Sequence, residues 1–231
     1  MPRRSSAKST SPEPPSGSIL QVKVRLLGVS PMVWRRLLVP ASHTLEELHG
    51  VLQVAMGWEG IHLYRFWIHA VHYGSFELSV SSPRVPLDVF RFRRGTKFVY
   101  DYDMTDFWRH EVRIEDRLEP EPSRSYPLCI AGDHACPPED CGGPEGYANR
   151  RREAVGFDAM EDIATLASLI EAIAVEKRTT LLDDPDTRWE LEEIVARIKT
   201  REPFLADAFS RRAVNQRFEQ GEHHVLMHQQ L

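Results

Sequence analysis

The residue order predicts an α+β fold: a twisted, mainly antiparallel sheet in a ββαβ-ββ roll, one central helix packed on it, and further helices toward the C-terminus. Three observations predict it. Apolar residues alternate with polar ones in several short segments between residues 19 and 115, the period-2 mark of half-buried strands. One segment among them, 45–56, has helical spacing instead. The last third of the chain has helical spacing and no strand alternation.

The elements follow in order. Leu20, Val22, Val24 and Leu26 alternate with Gln21, Lys23 and Arg25, giving a first strand. Gly28 to Pro31 supplies a turn, and Met32 to Val39 reads as the second strand of a hairpin, stopped by Pro40. Thr44 and Glu47 form a capping box that opens the central helix. Leu48, Val51, Leu52, Ala55 and Met56 make its apolar stripe, and Gly57 its stop. Leu63 to Tyr73 reads as one strand, with Phe76 to Val80 as a short continuation and 81–96 as a long Pro/Arg/Gly-rich loop. Phe98, Tyr100, Tyr102 and Met104 alternate with Val99, Asp101 and Asp103, and Trp108, His110, Val112 and Ile114 with Arg109, Glu111, Arg113 and Glu115, which predicts a second hairpin.

The segment from Cys129 to Pro144 holds all three cysteines, His134, Pro137, Pro138, Glu139, Asp140 and a Gly-Gly-Pro stop. Proline lacks the amide donor and glycine weakens regular structure, so a shaped loop is expected there. Asp158 and Glu161 suggest a second capping box, followed by a helix through Ile163, Leu166, Ala167, Ile170, Ile173 and Ala174. Further helices are expected over 186–200 and from Ser210 to near Gly221. The resulting organisation is a Ser/Pro-rich disordered tail over 1–18, an α+β domain over 19–150, a helical extension over 151–221 and a frayed tail over 222–231.

Composition bounds the function. With 231 residues, 42% hydrophobic and 27% charged, the chain reads as an ordinary soluble globular protein. A net charge of -5 argues against a global nucleic-acid footprint. No apolar run is long enough for a membrane span, and no secretory leader is seen. Three cysteines without an export signal read as reduced thiols, so a cytoplasmic location is expected.

Several ordered motifs resemble one family. Val33-Trp34-Arg35-Arg36-Leu37-Leu38-Val39-Pro40, Leu45-x-x-Leu48-His49 and Ala55-Met56-Gly57-Trp58-x-x-x-His62-Leu63-Tyr64-x-Phe66 are similar to the first half of the plasmid pRiA4b ORF-3-like family. Tyr100-Asp101-Tyr102-Asp103, Asp106-x-Trp108-Arg109-His110, Tyr126-Pro127-x-Cys129 and the loop from Cys136 to Tyr147 resemble its second half. Phe209 and Ala213-Val214-Asn215 also match. The resemblance implies a compact α+β roll and an association with plasmids and mobile elements. It supplies no reaction. Family members are often labelled insertion-element passenger TnpR-family proteins, yet the chain lacks an activated serine among arginines near its start, so resolvase activity is not expected. Two departures stand out. The family's Tyr-Asp-Phe-Gly-Asp is Tyr102-Asp103-Met104-Thr105-Asp106 here, and its His-Leu-His is His62-Leu63-Tyr64.

Three constellations could carry chemistry. Cys129, His134, Cys136 and Cys141 supply four zinc-type ligands, though at no common finger spacing. Asp101 and Asp103, two apart on one strand face, with Asp106 and His110, could hold a metal for a hydrolase or nuclease. Trp34, Arg35 and Arg36, with Arg91, Arg93 and Arg94, could meet nucleic acid, while Glu139 and Asp140 could meet a partner. The leading expectation is a non-catalytic binding or accessory domain for a protein or nucleic acid. The alternatives are a metal-dependent enzyme and a structural-zinc module.

Overall fold

The computed structural model describes residues 17–206 and 208–228. The expectation of disorder over 1–18 therefore falls largely outside the described residues. Seven antiparallel strands form one sheet: β1 (Ile19–Leu26), β2 (Trp34–Pro40), β3 (Tyr64–Ile68), β4 (Val71–Gly74), β5 (Lys97–Tyr102), β6 (Trp108–Leu118) and β7 (Leu128–Asp133). Their spatial order is β4-β3-β5-β6-β1-β2-β7. Six α-helices among the described residues complete the molecule: α1 (Leu45–Met56), α2 (Gly143–Ala154), α3 (Phe157–Ile170), α4 (Pro185–Leu205), α5 (Arg211–Glu219) and α6 (Glu222–Leu226). The α+β fold with a twisted antiparallel sheet is as the sequence predicts.

The predicted alternation places the core. Leu20, Val22, Val24 and Leu26 are all buried, as are Phe98, Tyr100 and Tyr102 on β5 and Trp108, His110, Val112 and Ile114 on β6. Register puts Phe66, Tyr100 and His110 side by side on this inner face. The capping box of α1 forms, with the Glu47 amide donating to Thr44 Oγ1 (3.1 Å) and the Thr44 amide to Glu47 (2.7 Å). Gly57 ends the helix at φ 91°, in the left-handed region.

Five local expectations are corrected. Leu63 to Tyr73 is a hairpin, β3 and β4, because His69 and Ala70 turn the chain at positive φ. Phe76–Leu78 is a 3-10 turn rather than a strand. Cys129 to Asp133 is an edge strand, not a loop, since its prolines come only after Cys136. Gly142-Gly143-Pro144 starts α2 instead of stopping the chain: proline at the first helical turn forgoes an amide that lacks an intrahelical partner anyway. The Asp158–Glu161 capping box does not form. Gly156 caps α3, whose Phe157, Met160, Ile163 and Ile170 face outward, and only Ala159 and Asp162 are buried.

The C-terminal helices return to the sheet. Asn215 of α5 pairs with the backbone of Cys129, its Oδ1 accepting from the amide (2.8 Å) and its Nδ2 donating to the carbonyl (2.9 Å). That side chain stands in for the next strand at the β7 edge. Instead of a frayed tail, residues 222–226 form α6 against α1. The approach is close enough that a Cβ at Gly50 would lie 2.1 Å from the His223 carbonyl, and His223 itself is buried.

Candidate functional site

Three loops meet at one end of the sheet. They are the α1–β3 connection (57–63), the β5–β6 turn (103–107) and the segment 134–142 that follows β7. Trp58, fully buried, is the post they share. It stacks on Tyr102 (5.1 Å between ring centroids) and touches His110 edge-on (5.3 Å). Its Nε1 donates to the Pro137 carbonyl (2.9 Å) and so fixes the third loop to the first. Glu139 makes the second clamp, accepting from the Tyr102 hydroxyl (2.5 Å) and from the Glu59 amide (2.9 Å). Burial, then Glu139, raise the Tyr102 pKa, so its hydroxyl stays a donor. Asp106 makes the third clamp by accepting from the Gly142 amide (2.8 Å). Gly143, at φ 67°, lies so close to the β5–β6 turn that a Cβ would come 2.2 Å from the Asp106 carbonyl. These side-chain clamps fix the shape of the loop.

Behind these loops lies a buried polar network. Gln53 donates to the Tyr100 hydroxyl (2.8 Å), which sits 2.7 Å from His49 Nδ1 and is free to donate to it. Gln53 Oε1 accepts from the Gly60 amide (3.1 Å), tying the network to the first loop. Burial lowers His49 to about 3 and His110 to about 4, so both imidazoles are neutral. His49 lies flat against Tyr64 at 3.7 Å.

The sequence candidates scatter. Asp101 and Asp103 do not share a face, because Asp103 lies past the end of β5 at φ 58° and strand alternation stops there. Asp101 is held on the outer face by its register partners. Its Oδ1 accepts from Arg109 (2.8 Å) and its Oδ2 from Arg65 (2.9 Å). Burial pushes its carboxyl up, the Arg109 and Arg65 hydrogen bonds outweigh that, and the net shift is downward. His110 points into the core against Tyr100 and Trp58. Asp103 faces the loops, where Oδ1 accepts from the amides of Thr105 (2.8 Å) and Asp106 (3.2 Å). The quartet Asp101, Asp103, Asp106 and His110 is thus split between two faces and a turn.

The cysteine set is split as well. Among the described residues, no three of Cys129, His134, Cys136 and Cys141 bring ligand atoms within 4.8 Å of one another. Cys129 lies in β7, and His134 turns toward the Met32 carbonyl (3.3 Å). Burial pushes the Cys129 and Cys141 thiols up to about 11 and Cys136 higher still, so none is a ready thiolate.

The basic candidates have three fates. Arg35 is 2% exposed and sits over the Phe209 ring (4.1 Å), donating to the carbonyls of Ala55, Trp34 and Asp133. Arg36 is bound by Glu115 (2.5 Å), and Trp34 is covered by Lys23 (4.5 Å). Arg91, Arg93 and Arg94 are exposed, just before β5, whereas the loop cluster lies past its other end.

The grouping that sequence reasoning missed is His62, Asp103 and Asp140, one residue from each loop, with ligand atoms mutually within 4.8 Å. His62 Nε2 lies 3.0 Å from Asp140 and 3.7 Å from Asp103. The signal was the break in alternation at Asp103, which removes it from the strand face. Beside this group runs a groove of about 410 Å³ between Met56–Ile61 and Cys136–Asp140. Its charged residues are Glu59, Glu139 and Asp140, all acidic.

Comparison with known proteins places this loop cluster in a wider set. The chain is 40% identical over 136 residues to "Uncharacterized protein y4hQ" of Sinorhizobium fredii, covering 56% of this chain and 70% of that one. It is similar to the crystal structure of a protein of unknown function, MM3350, from Methanosarcina mazei Go1. There the TM-score is 0.57 at 29% identity, over 63% of this chain and 87% of the other. The family description "plasmid pRiA4b ORF-3-like protein" matches residues 18–162, a span that includes the whole sheet and all three loops. The chain belongs to the plasmid pRiA4b ORF-3-like family.

Proposed function

We propose that this chain is a non-catalytic binding domain whose acidic groove takes a short basic segment of a protein partner. The observation that carries the reading is the braced third loop. Trp58, Tyr102 and the Glu59 amide hold Pro137 and Glu139 in place, so the groove wall is set before a ligand arrives. Preorganisation lowers the ordering cost of binding. Every formal charge on the groove is negative, while proline and Ile61 give it apolar rims. Such a surface attracts lysine and arginine side chains and repels a phosphate backbone. The plasmid in the family's name supports an accessory role on mobile DNA, exercised through a protein partner rather than by direct DNA contact.

Fluorescence anisotropy with a labelled Lys/Arg-rich peptide, beside a labelled DNA duplex, tests this. Saturable peptide binding that weakens about tenfold or more in a Glu59→Gln/Asp140→Asn double variant is the expected result. Salt-sensitive duplex binding with no peptide binding, or an unaffected double variant, would refute it.

A further inference from the structure

His62, Asp103 and Asp140 are far apart in sequence, and the three loops bring them together beside the groove, whose wall Asp140 shares. Asp103 is 2% exposed. Its Oδ1 accepts from two amides, and its Oδ2 lies 3.7 Å from His62 Nε2 and within 4.8 Å of Asp140. His62 Nε2 is buried too and makes no hydrogen bond, although Asp140 lies 3.0 Å away. The His62 ring is set by an edge contact with Tyr102 (5.7 Å). His62 Nε2 and Asp103 Oδ2 therefore face one point, and the exposed Asp140 closes it from the solvent side.

The distances suit an ion. Ligands about 2.0–2.2 Å from a common metal lie about 2.9 Å apart at right angles and about 3.4 Å apart at the tetrahedral angle. The observed 3.0 Å lies close to the first value, and 3.7 Å is slightly longer than the second. One imidazole and two carboxylates suit a borderline first-row ion better than magnesium or calcium, which prefer all-oxygen sites. Three protein ligands also leave coordination positions open to water or a ligand atom.

We propose that His62, Asp103 and Asp140 form a binding site for one divalent first-row transition-metal ion, of the zinc, cobalt or manganese class. The ion would stitch the three loops together from the side opposite the Trp58 post. It would engage Asp140 and leave Glu59 and Glu139 to the groove, so the site does not rest on the peptide-binding reading.

The test uses the untagged full chain, stripped with chelator and titrated with cobalt(II) while its visible d–d absorption is followed. The expected result is saturation at one ion per chain, without the near-ultraviolet band of thiolate ligation. Affinity should fall about tenfold or more in His62→Asn and in Asp140→Asn, and stay unchanged in Glu59→Gln and in a Cys136→Ser/Cys141→Ser double variant. Asp140 is exposed, so its variant keeps the test valid if His62→Asn fails to fold. No uptake at millimolar cobalt would reduce the group to an ordinary ion pair and overturn the proposal. Uptake that survives in both variants, or that is lost only when His224 and His228 are replaced, would overturn it as well.

Discussion

Asp101 and Asp103 stand two residues apart in the chain, and their surroundings differ in every respect that matters for function. Asp101 belongs to the regular sheet. Cross-strand register delivers Arg65 from β3 and Arg109 from β6, and both carboxylate oxygens are taken. Asp103 belongs to the loop end. One oxygen holds the turn, and the other faces a histidine and a second aspartate contributed by separate loops. The comparison teaches that burial alone does not mark a functional carboxylate. A carboxylate whose hydrogen-bonding capacity is exhausted within the fold is a brace. One that faces a histidine and a second aspartate from separate loops is the better candidate for binding.

The largest expected effect concerns the interior behind Asp101. His49 and His110 are neutral in the fold, with pKa values lowered to about 3 and about 4 by burial, against about 6.5 when unfolded. The unfolded chain therefore takes up more protons, so stability is fully present above pH 6.5 and is lost as the pH falls toward 4. Denaturant unfolding at pH 7 and pH 4 should differ by several kcal/mol. Equal midpoints would mean that these imidazoles are not held neutral.

Asp101→Ala should come next. It leaves two arginines facing each other across β5, at a cost of about 2–3 kcal/mol. That is below the figure for a fully enclosed pair, because Arg109 is 41% exposed. For a chain of this size the melting temperature should drop by about 5–10 °C. A drop equal to that of Asp140→Asn would erase the distinction between brace and site. Gly143→Ala should act locally at the loop end, costing about 1–2 kcal/mol for the left-handed backbone alone and forcing the loop away from the Asp106 carbonyl, which the new Cβ would meet at 2.2 Å. Faster amide exchange over 134–143, with the sheet unchanged, is the signature to look for. The smallest effect belongs to Asp140→Asn. As an exposed residue it should shift stability by no more than about 0.5 kcal/mol while it weakens binding.

Much of this brace was legible in the sequence, and most of the site was not. The alternation of Tyr100 with Asp101 and of His110 with Arg109 announces which side chains turn inward, since neighbours on a strand must point to opposite faces. Thr44 and Glu47 announce the start of α1 because both halves of a capping box are local. The same logic misled at Asp158 and Glu161, where Gly156 supplies the cap instead. It also misled at Pro144, which reads as a breaker but opens α2. The site itself depends on contacts between residues 62, 103 and 140, and spacing along the chain carries no information about those. Asp103 and Asp140 are legible as candidates and His62 within a motif, but not as partners of one another. Extending the β5 alternation one residue too far paired Asp103 with Asp101 in place of His62. Asn215 is a similar case, since its role at the β7 edge emerges only when α5 folds back.

The most direct test of the central claim, that the loop end is the binding surface, is a map of backbone amide shifts as the isotopically labelled chain is titrated with a Lys/Arg-rich peptide. Shifts confined to residues 57–61 and 136–142, with Arg65, Asp101 and Arg109 silent, are the expected result. Shifts centred on Arg91, Arg93 and Arg94, or spread over the outer face of the sheet around Asp101, would contradict it.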